Sequence, residues 1–227
     1  MTIEEFSNEF DTLLNSWGRQ VAYGDAYSPI TVDEYEKSIF LTQSQEDIVL
    51  ELYRGFEKGE ELTEYLKELL KEVEYTNVND RISLPEDFLF RIYETAKIKD
   101  SSLTCNGSDE KTVDVYPVTH DTLYRTKESP FRGSNKYRVL SLVISSSDIE
   151  LISNYPISYY KIRYISKPNP IILENLPEGL SIDNKSTVSE CTLNPILHNR
   201  ILRGAVLLAL KAKILYQSQK QNNTNNQ

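Results

Sequence analysis

Cysteine and histidine are scarce in this chain of 227 residues: Cys105, Cys191, His120 and His198 are all there is of either. A metal site needs three or four ligands, and no Cys-x-x-Cys, His-x-x-x-His or His-Glu-x-x-His spacing occurs, so no zinc centre is expected. The two cysteines stand far apart and read as free thiols in a reducing compartment. Glycine is also sparse, at 8 residues. No Gly-x-x-x-x-Gly-Lys-Ser/Thr, Gly-x-Gly-x-x-Gly or Gly-x-Ser-x-Gly is present, which sets aside phosphate-loop, dinucleotide and nucleophile-elbow chemistry. No apolar run of about eighteen residues exists, so no transmembrane helix is expected. The opening MTIEEFSNEF is acidic and lacks the basic-then-apolar order of a signal peptide, so secretion by that route is not expected.

What the chain does have is charge, unevenly spread. Hydrophobic residues make up 39% and charged ones 26%, ordinary for a globular protein. Of the net charge of −9, residues 1–80 carry nineteen acids against six bases, and residues 81–227 carry fifteen against nineteen. No acid follows Glu190, while Arg200, Arg203, Lys211, Lys213 and Lys220 do. An acidic N-terminal part can meet a basic C-terminal helix, within one chain or between copies, or each can simply be solvated. An acidic protein is poorly suited to tight nucleic-acid binding, which needs a basic surface.

Apolar spacing predicts the elements in order. Phe6, Phe10, Leu13, Leu14 and Trp17 recur at helical intervals, Thr2-x-x-Glu5 forms a capping box, and Trp17-Gly18 ends the helix. Asp33 caps a short helix through Lys37, and a second helix runs from about Thr42 to Phe56. A third is expected over Glu60–Tyr75, with Leu62, Leu66, Leu69, Leu70 and Val73 inward. The pattern then changes. Phe88–Ile98 and Thr112–Val118 read as strands, with a hairpin signal at Asn106-Gly107 between them. Thr119 is a natural cap for a short helix or turn. Val139–Ile144, Ile149–Ile152 and Tyr159–Ile165 suggest a three-stranded antiparallel meander, punctuated by Pro156, Pro168 and Pro170. Ser181–Leu193 is a polar connector. Asn194-Pro195 opens a last helix from Ile196 to about Gln217, in which Gly204, Ala205 and Ala209 permit close approach of another helix. The final SQKQNNTNNQ is polar and of low complexity, a disordered tail by composition.

The architecture expected from these elements is α+β: a helical bundle from both chain ends with an inserted antiparallel β-rich lobe. Its divisions are residues 1–80 for the first bundle part, 81–185 for the β lobe, 186–217 for the closing helix and 218–227 for the tail. No residue is expected to be catalytic or to bind a cofactor or metal. His120-Asp121 has too few companion ligands, and His198 reads as a packing or capping residue in the first turn of the last helix. The surface offered to partners is sought in the loop Pro130, Phe131 and Arg132, at the edge prolines Pro168 and Pro170, and at Arg200 and Arg203 on the basic helix.

Five long phrases carry a resemblance: EFSNEFDTLLNS, DEYEKSIFLTQSQEDIVLELY, VTHDTLYRTKESPFRGSNKYRVL, YYKIRYISKPNPIILENLP and ECTLNPILHNRILRGAVLLAL. Together they resemble a structural protein of crAss-like tailed bacteriophages, over nearly the whole chain to about Lys213. The resemblance implies a tail ring or head-to-tail connector subunit, similar to podovirus tail adaptors, and no enzyme. It further implies a ring of about twelve copies closed by head-to-tail contacts. The expected partners are the chain itself, the portal and neighbouring tail proteins, with genomic DNA passing nearby without sequence-specific binding and no membrane involved. The expected location is the tail or portal vertex of a virion, after synthesis in the host cytoplasm. Another capsid- or tail-associated subunit is the alternative, and a phage-encoded enzyme or regulator a more distant one.

Overall fold

The computed structural model describes residues 1–21, 31–55, 64–76, 78, 80–99, 109–145 and 147–224, with side chains of 19–21 and 214–224 left aside. It separates into two compact units: Met1–Leu69 with Pro168–Gln227, and Leu70–Lys167. Each is taken by itself.

In the first unit the Thr2–Glu5 capping box forms in both directions. The Thr2 amide donates to Glu5 Oε2 at 2.8 Å and the Glu5 amide to Thr2 Oγ1 at 3.2 Å. Helix α1 (Ile3–Val21) buries Phe6, Phe10 and Leu14, and it runs past Gly18 instead of ending there. Helix α2 (Glu34–Gly55) is one element where two were expected. Asp33 caps it, accepting from the Glu36 amide at 2.7 Å. Nothing between Lys37 and Thr42 breaks a helix, since neither Gly nor Pro occurs there. The last helix begins as a 3₁₀ turn at Pro195–Leu197, where Asn194 Oδ1 accepts from the Ile196 amide at 3.1 Å. It continues as a long α-helix, His198–Thr224, through most of the segment read as a tail.

The expected helical bundle from both chain ends is not what forms. The long helix packs on α1 and on α2, but α1 and α2 barely meet. Where they do, the contact is polar: the buried Lys37 ammonium reaches Asp11 at 2.7 Å, Glu34 at 2.8 Å and Ser7 at 3.0 Å. Burial alone would lower the Lys37 pKa, and the hydrogen bonds with Asp11 and Glu34 outweigh it and leave the pKa raised. The other buried side of α2 lies against a non-helical stretch. Gln45 Nε2 donates to the Asn169 carbonyl at 2.7 Å, the Ile171 amide to Thr42 Oγ1 at 3.0 Å, and the Leu173 amide to Ser38 Oγ at 3.0 Å. The connector beyond it folds back through a tight Ile182–Lys185 turn, with Asp183 at φ 51° and Asn184 at φ 61°.

The second unit holds a seven-stranded sheet: β1 (Leu70–Thr76), β2 (Arg81–Ser83), β3 (Phe88–Lys99), β4 (Glu110–Val118), β5 (Arg138–Val143), β6 (Asp148–Ile152) and β7 (Ile157–Ser166), in the order β1-β7-β3-β4-β5-β6-β2. Helix α3 (Leu123–Lys127) lies between β4 and β5 in sequence, so the long helix after it is α4. Three corrections follow. The helix expected over Glu60–Tyr75 holds, within its described part, only at Glu64 and Tyr65, and then gives way to a 3₁₀ turn at Lys67–Leu69 and strand β1. Glu72-Val73-Glu74-Tyr75 alternates at strand period, and register sets Glu72 against Arg163 and Glu74 against Lys161, a favourable cross-strand charge match. The meander is also absent: β5 and β6 pair, but β7 lies between β1 and β3. Last, the sheet is mixed and not antiparallel throughout, because β4 and β5 run parallel. A parallel pair needs a crossover connection, which residues 119–137 supply. The Asn106-Gly107 turn lies outside the described residues.

One face of the sheet carries Ile82, Ala96, Ile98, Val113, Val115, Val139, Ile149, Leu151, Tyr160 and Ile162 in a single buried cluster. Val118, Leu140 and Leu142 form a smaller one, with Leu123 of α3 packed against it. Glu94 shares the first face with Ala96 and Ile98, at 3% exposure. Ser141 Oγ donates to its Oε2 at 2.6 Å, and Arg91 Nη1 stands 3.6 Å from Oε1. Burial pushes the Glu94 carboxyl above the usual carboxylate range.

Gly204 of α4 passes close to Ser44 of α2. A Cβ there would stand 2.3 Å from Ser44 Oγ, which donates to the Ile201 carbonyl at 2.7 Å. Gly204→Ala is expected within about 1 kcal/mol of wild type in urea unfolding, because the helix-propensity gain offsets the disturbed hydrogen bond. Gly204→Val should lose about 1–3 kcal/mol by overpacking. Glu94 gives a pH test. A raised folded pKa means that its stabilising share is complete below the unfolded value, near 4.3, and is lost as pH rises through the folded value. Glu94→Gln should therefore melt higher than wild type at pH 8 and converge with it near pH 4 in thermal scans.

Candidate subunit-contact surfaces

The segment after α3 is built to hold a loop in one shape. The Gly133 amide donates to the Ser129 carbonyl at 2.8 Å, and a Cβ on Gly133 would lie 2.8 Å from that oxygen and 2.9 Å from the Lys127 carbonyl. Only glycine fits there. Arg138 Nη1 donates to the Phe131 carbonyl at 3.2 Å, while the Arg138 guanidinium also lies over the Tyr116 ring at 4.2 Å. Asn135 and Arg138 exchange backbone bonds in a tight turn. On this frame Phe131 is 87% exposed and Tyr124 78%. Pro130 and Arg132 are exposed beside them. Arg125, Lys127, Arg132, Lys136 and Arg138 make the segment basic, against Glu128 alone.

A second surface lies on the other unit, between α2 and α4. It is a groove of about 390 Å³ with Asp47, Ile48 and Glu51 on the α2 side and Arg200, Arg203, Leu207, Leu208 and Lys211 on the α4 side. Arg200 is ion-paired to Glu51 within the chain. Farther along, Lys213 pairs with Glu36 at 3.1 Å. The acidic N-terminal and basic C-terminal parts thus do meet within one chain. Among the described residues Asp47, Arg203 and Lys211 have no ionic partner.

The other expected contact residues are placed differently. Pro168 and Pro170 are buried inside the first unit, flanking the Asn169 carbonyl that Gln45 binds. His120 is exposed and its Nε2 donates to the Val143 carbonyl at 3.0 Å. His198 is buried, donating from Nε2 to the Leu193 carbonyl at 3.1 Å, with Phe6 5.3 Å from its ring. Burial lowers its pKa. The Cys191 thiol donates to Gln45 Oε1 at 3.2 Å, and burial pushes it up to about 11, far from a reactive thiolate. Cys105 lies outside the described residues. Among the described residues no cluster of His, Cys, Asp and Glu could hold a metal ion, and no helix is long and apolar enough to cross a membrane.

Comparison with known proteins gives the family of the chain. The family model described as phage tail ring protein 3/4 matches residues 1–222. The chain belongs to this phage tail ring protein family. It is 46% identical to "Ring protein 3" of Bacteroides phage crAss001, over 94% of this chain and 96% of that protein. It is 34% identical to "Ring protein 4/5" of the same phage, over 93% of each. A tail ring protein is a structural component of the virion. Of the residues singled out from the sequence, Phe131, Arg132, Arg200 and Arg203 are exposed. The groove between α2 and α4 was not expected from the sequence, because Ile48 and Leu208 fall at the helical spacing of buried stripes.

Proposed function

We propose that copies of this chain close head-to-tail into a ring in the portal-proximal part of the tail, around the channel through which DNA leaves the head. About twelve copies would match a portal of that symmetry. Membership in the tail ring family over almost the whole chain carries the reading. The chemistry of the two surfaces supports it: they differ from each other, and a heterologous contact needs two different patches on each subunit. The protein works as a structural part without catalysis. It touches the portal and neighbouring tail proteins, and Pro130, Phe131, Arg132, Arg200 and Arg203 are the residues proposed to lie at subunit contacts. The net charge of −9 favours a wall that repels DNA and lets it slide, with no reading of bases. The chain is made in the host cytoplasm and ends at the portal vertex of the particle.

Native mass spectrometry of the purified chain at low and high salt tests this. The expected result is one discrete large species at an integral multiple of the chain mass, weakened by salt because charged surfaces contribute. A monomer at every concentration and salt would overturn the self-assembling ring.

A further inference from the structure

The segment from α3 through its loop is a preformed surface whose cations have no counter-charge. Arg125, Lys127, Arg132 and Lys136 are exposed along it, against Asp121 and Glu128, and none of the four is ion-paired among the described residues. Tyr124 and Phe131 stand exposed among them. Aromatic side chains next to arginine are what protein interfaces favour. The Gly133 and Arg138 hydrogen bonds already fix the loop, so docking it costs little ordering entropy. Duplex DNA would answer the cations through its phosphates but gives the exposed aromatic side chains no role. A protein partner that brings carboxylates answers both.

The acids of the chain itself narrow that partner. Residues 1–80 hold the acidic excess. In α2, Glu34 pairs with Lys37, Glu36 with Lys213 and Glu51 with Arg200, and in β1 both Glu72 and Glu74 meet Lys161. Helix α1 differs. It exposes Glu4, Glu5 and Glu9, residues 3–18 contain neither Lys nor Arg, and none of these three carboxylates is ion-paired among the described residues. The acidic helix belongs to one unit and the basic loop to the other. Every copy thus carries two different patches of opposite sign, which is what a closed head-to-tail contact between copies requires.

We propose that α1 of one copy lies against residues 125–136 of the next, with Glu4 and Glu9 facing the cations of that segment. The inference rests on the ring reading and adds to it which surface meets which.

Two charge-reversal variants of the full chain test it: Glu4→Lys with Glu9→Lys, and Lys127→Glu with Arg132→Glu. Mass photometry reads the concentration at which each assembles. Either variant alone sets like charges against each other and should raise the assembly midpoint tenfold or more over wild type. Mixed in equal amounts, the two restore opposite charges at each contact, and assembly should return to near the wild-type midpoint in rings of alternating composition. That rescue also shows both variants to be folded. Variants that assemble like wild type, or a mixture that assembles no better than either variant alone, would overturn this contact and leave the ring standing. A loop variant that assembles normally and instead loses duplex DNA in a gel-shift assay would make the loop a nucleic-acid surface, and would overturn the contact as well. A wild-type chain that never assembles would overturn both the contact and the ring.

Discussion

The structure of the helical unit depends on one polar seam. The stretch after β7 is not helical, yet residues 170–173 are buried beside α2, where backbone groups need partners from the protein. A buried amide or carbonyl left without a partner is costly, on the order of 1–3 kcal/mol each. Ser38, Thr42 and Gln45 supply those partners to Leu173, Ile171 and Asn169, and Ser44 adds a bond to the Ile201 carbonyl inside α4. The face of α2 that would be apolar in a bundle is therefore polar in this protein. That requirement explains why α2 shows little apolar striping, why Pro168 and Pro170 are inside, and why the helices pack through α4 instead of closing on one another.

Charge is the second organiser, and much of it is spent inside the chain. Glu72 of edge strand β1 takes both Lys161, at 3.1 Å, and Arg163 of β7, and those partners hold its pKa below the usual range, Arg163 most of all. Lys37 gathers two acids between α1 and α2. Arg200 and Lys213 tie α4 to Glu51 and Glu36. Exposed charge also lies around the groove, at Asp47, Arg203 and Lys211, and the segment around Phe131 is basic.

Elements specified by local chemistry could be read from sequence. The Thr2–Glu5 box, the Asp33 cap, the Asn194-Pro195 start and the alternation of Phe88–Ile98 each act within a few residues, and each is found in place. Elements specified by distant partners could not. Leu70–Thr76 has helical leucine spacing behind it and becomes a strand because β7 lies alongside. Strand β7 has the right bounds but the wrong neighbours, since nothing in Tyr159–Ile165 names β1 and β3. Glu94 was not singled out, because an acid in a strand pattern reads as outward until Ser141 is seen beside it. The surface residues were legible in part. A Pro-Phe-Arg-Gly loop announces exposure, whereas the prolines near the end of β7 looked like edge residues and are buried by α2.

The most direct measurement of the central claim is a cryo-electron microscopy map of the assembled protein at side-chain resolution. The account predicts a closed ring in which two different patches of each copy meet and Phe131 is covered by a neighbouring subunit. A ring held by contacts between identical patches, or one with Phe131 facing solvent, would contradict it.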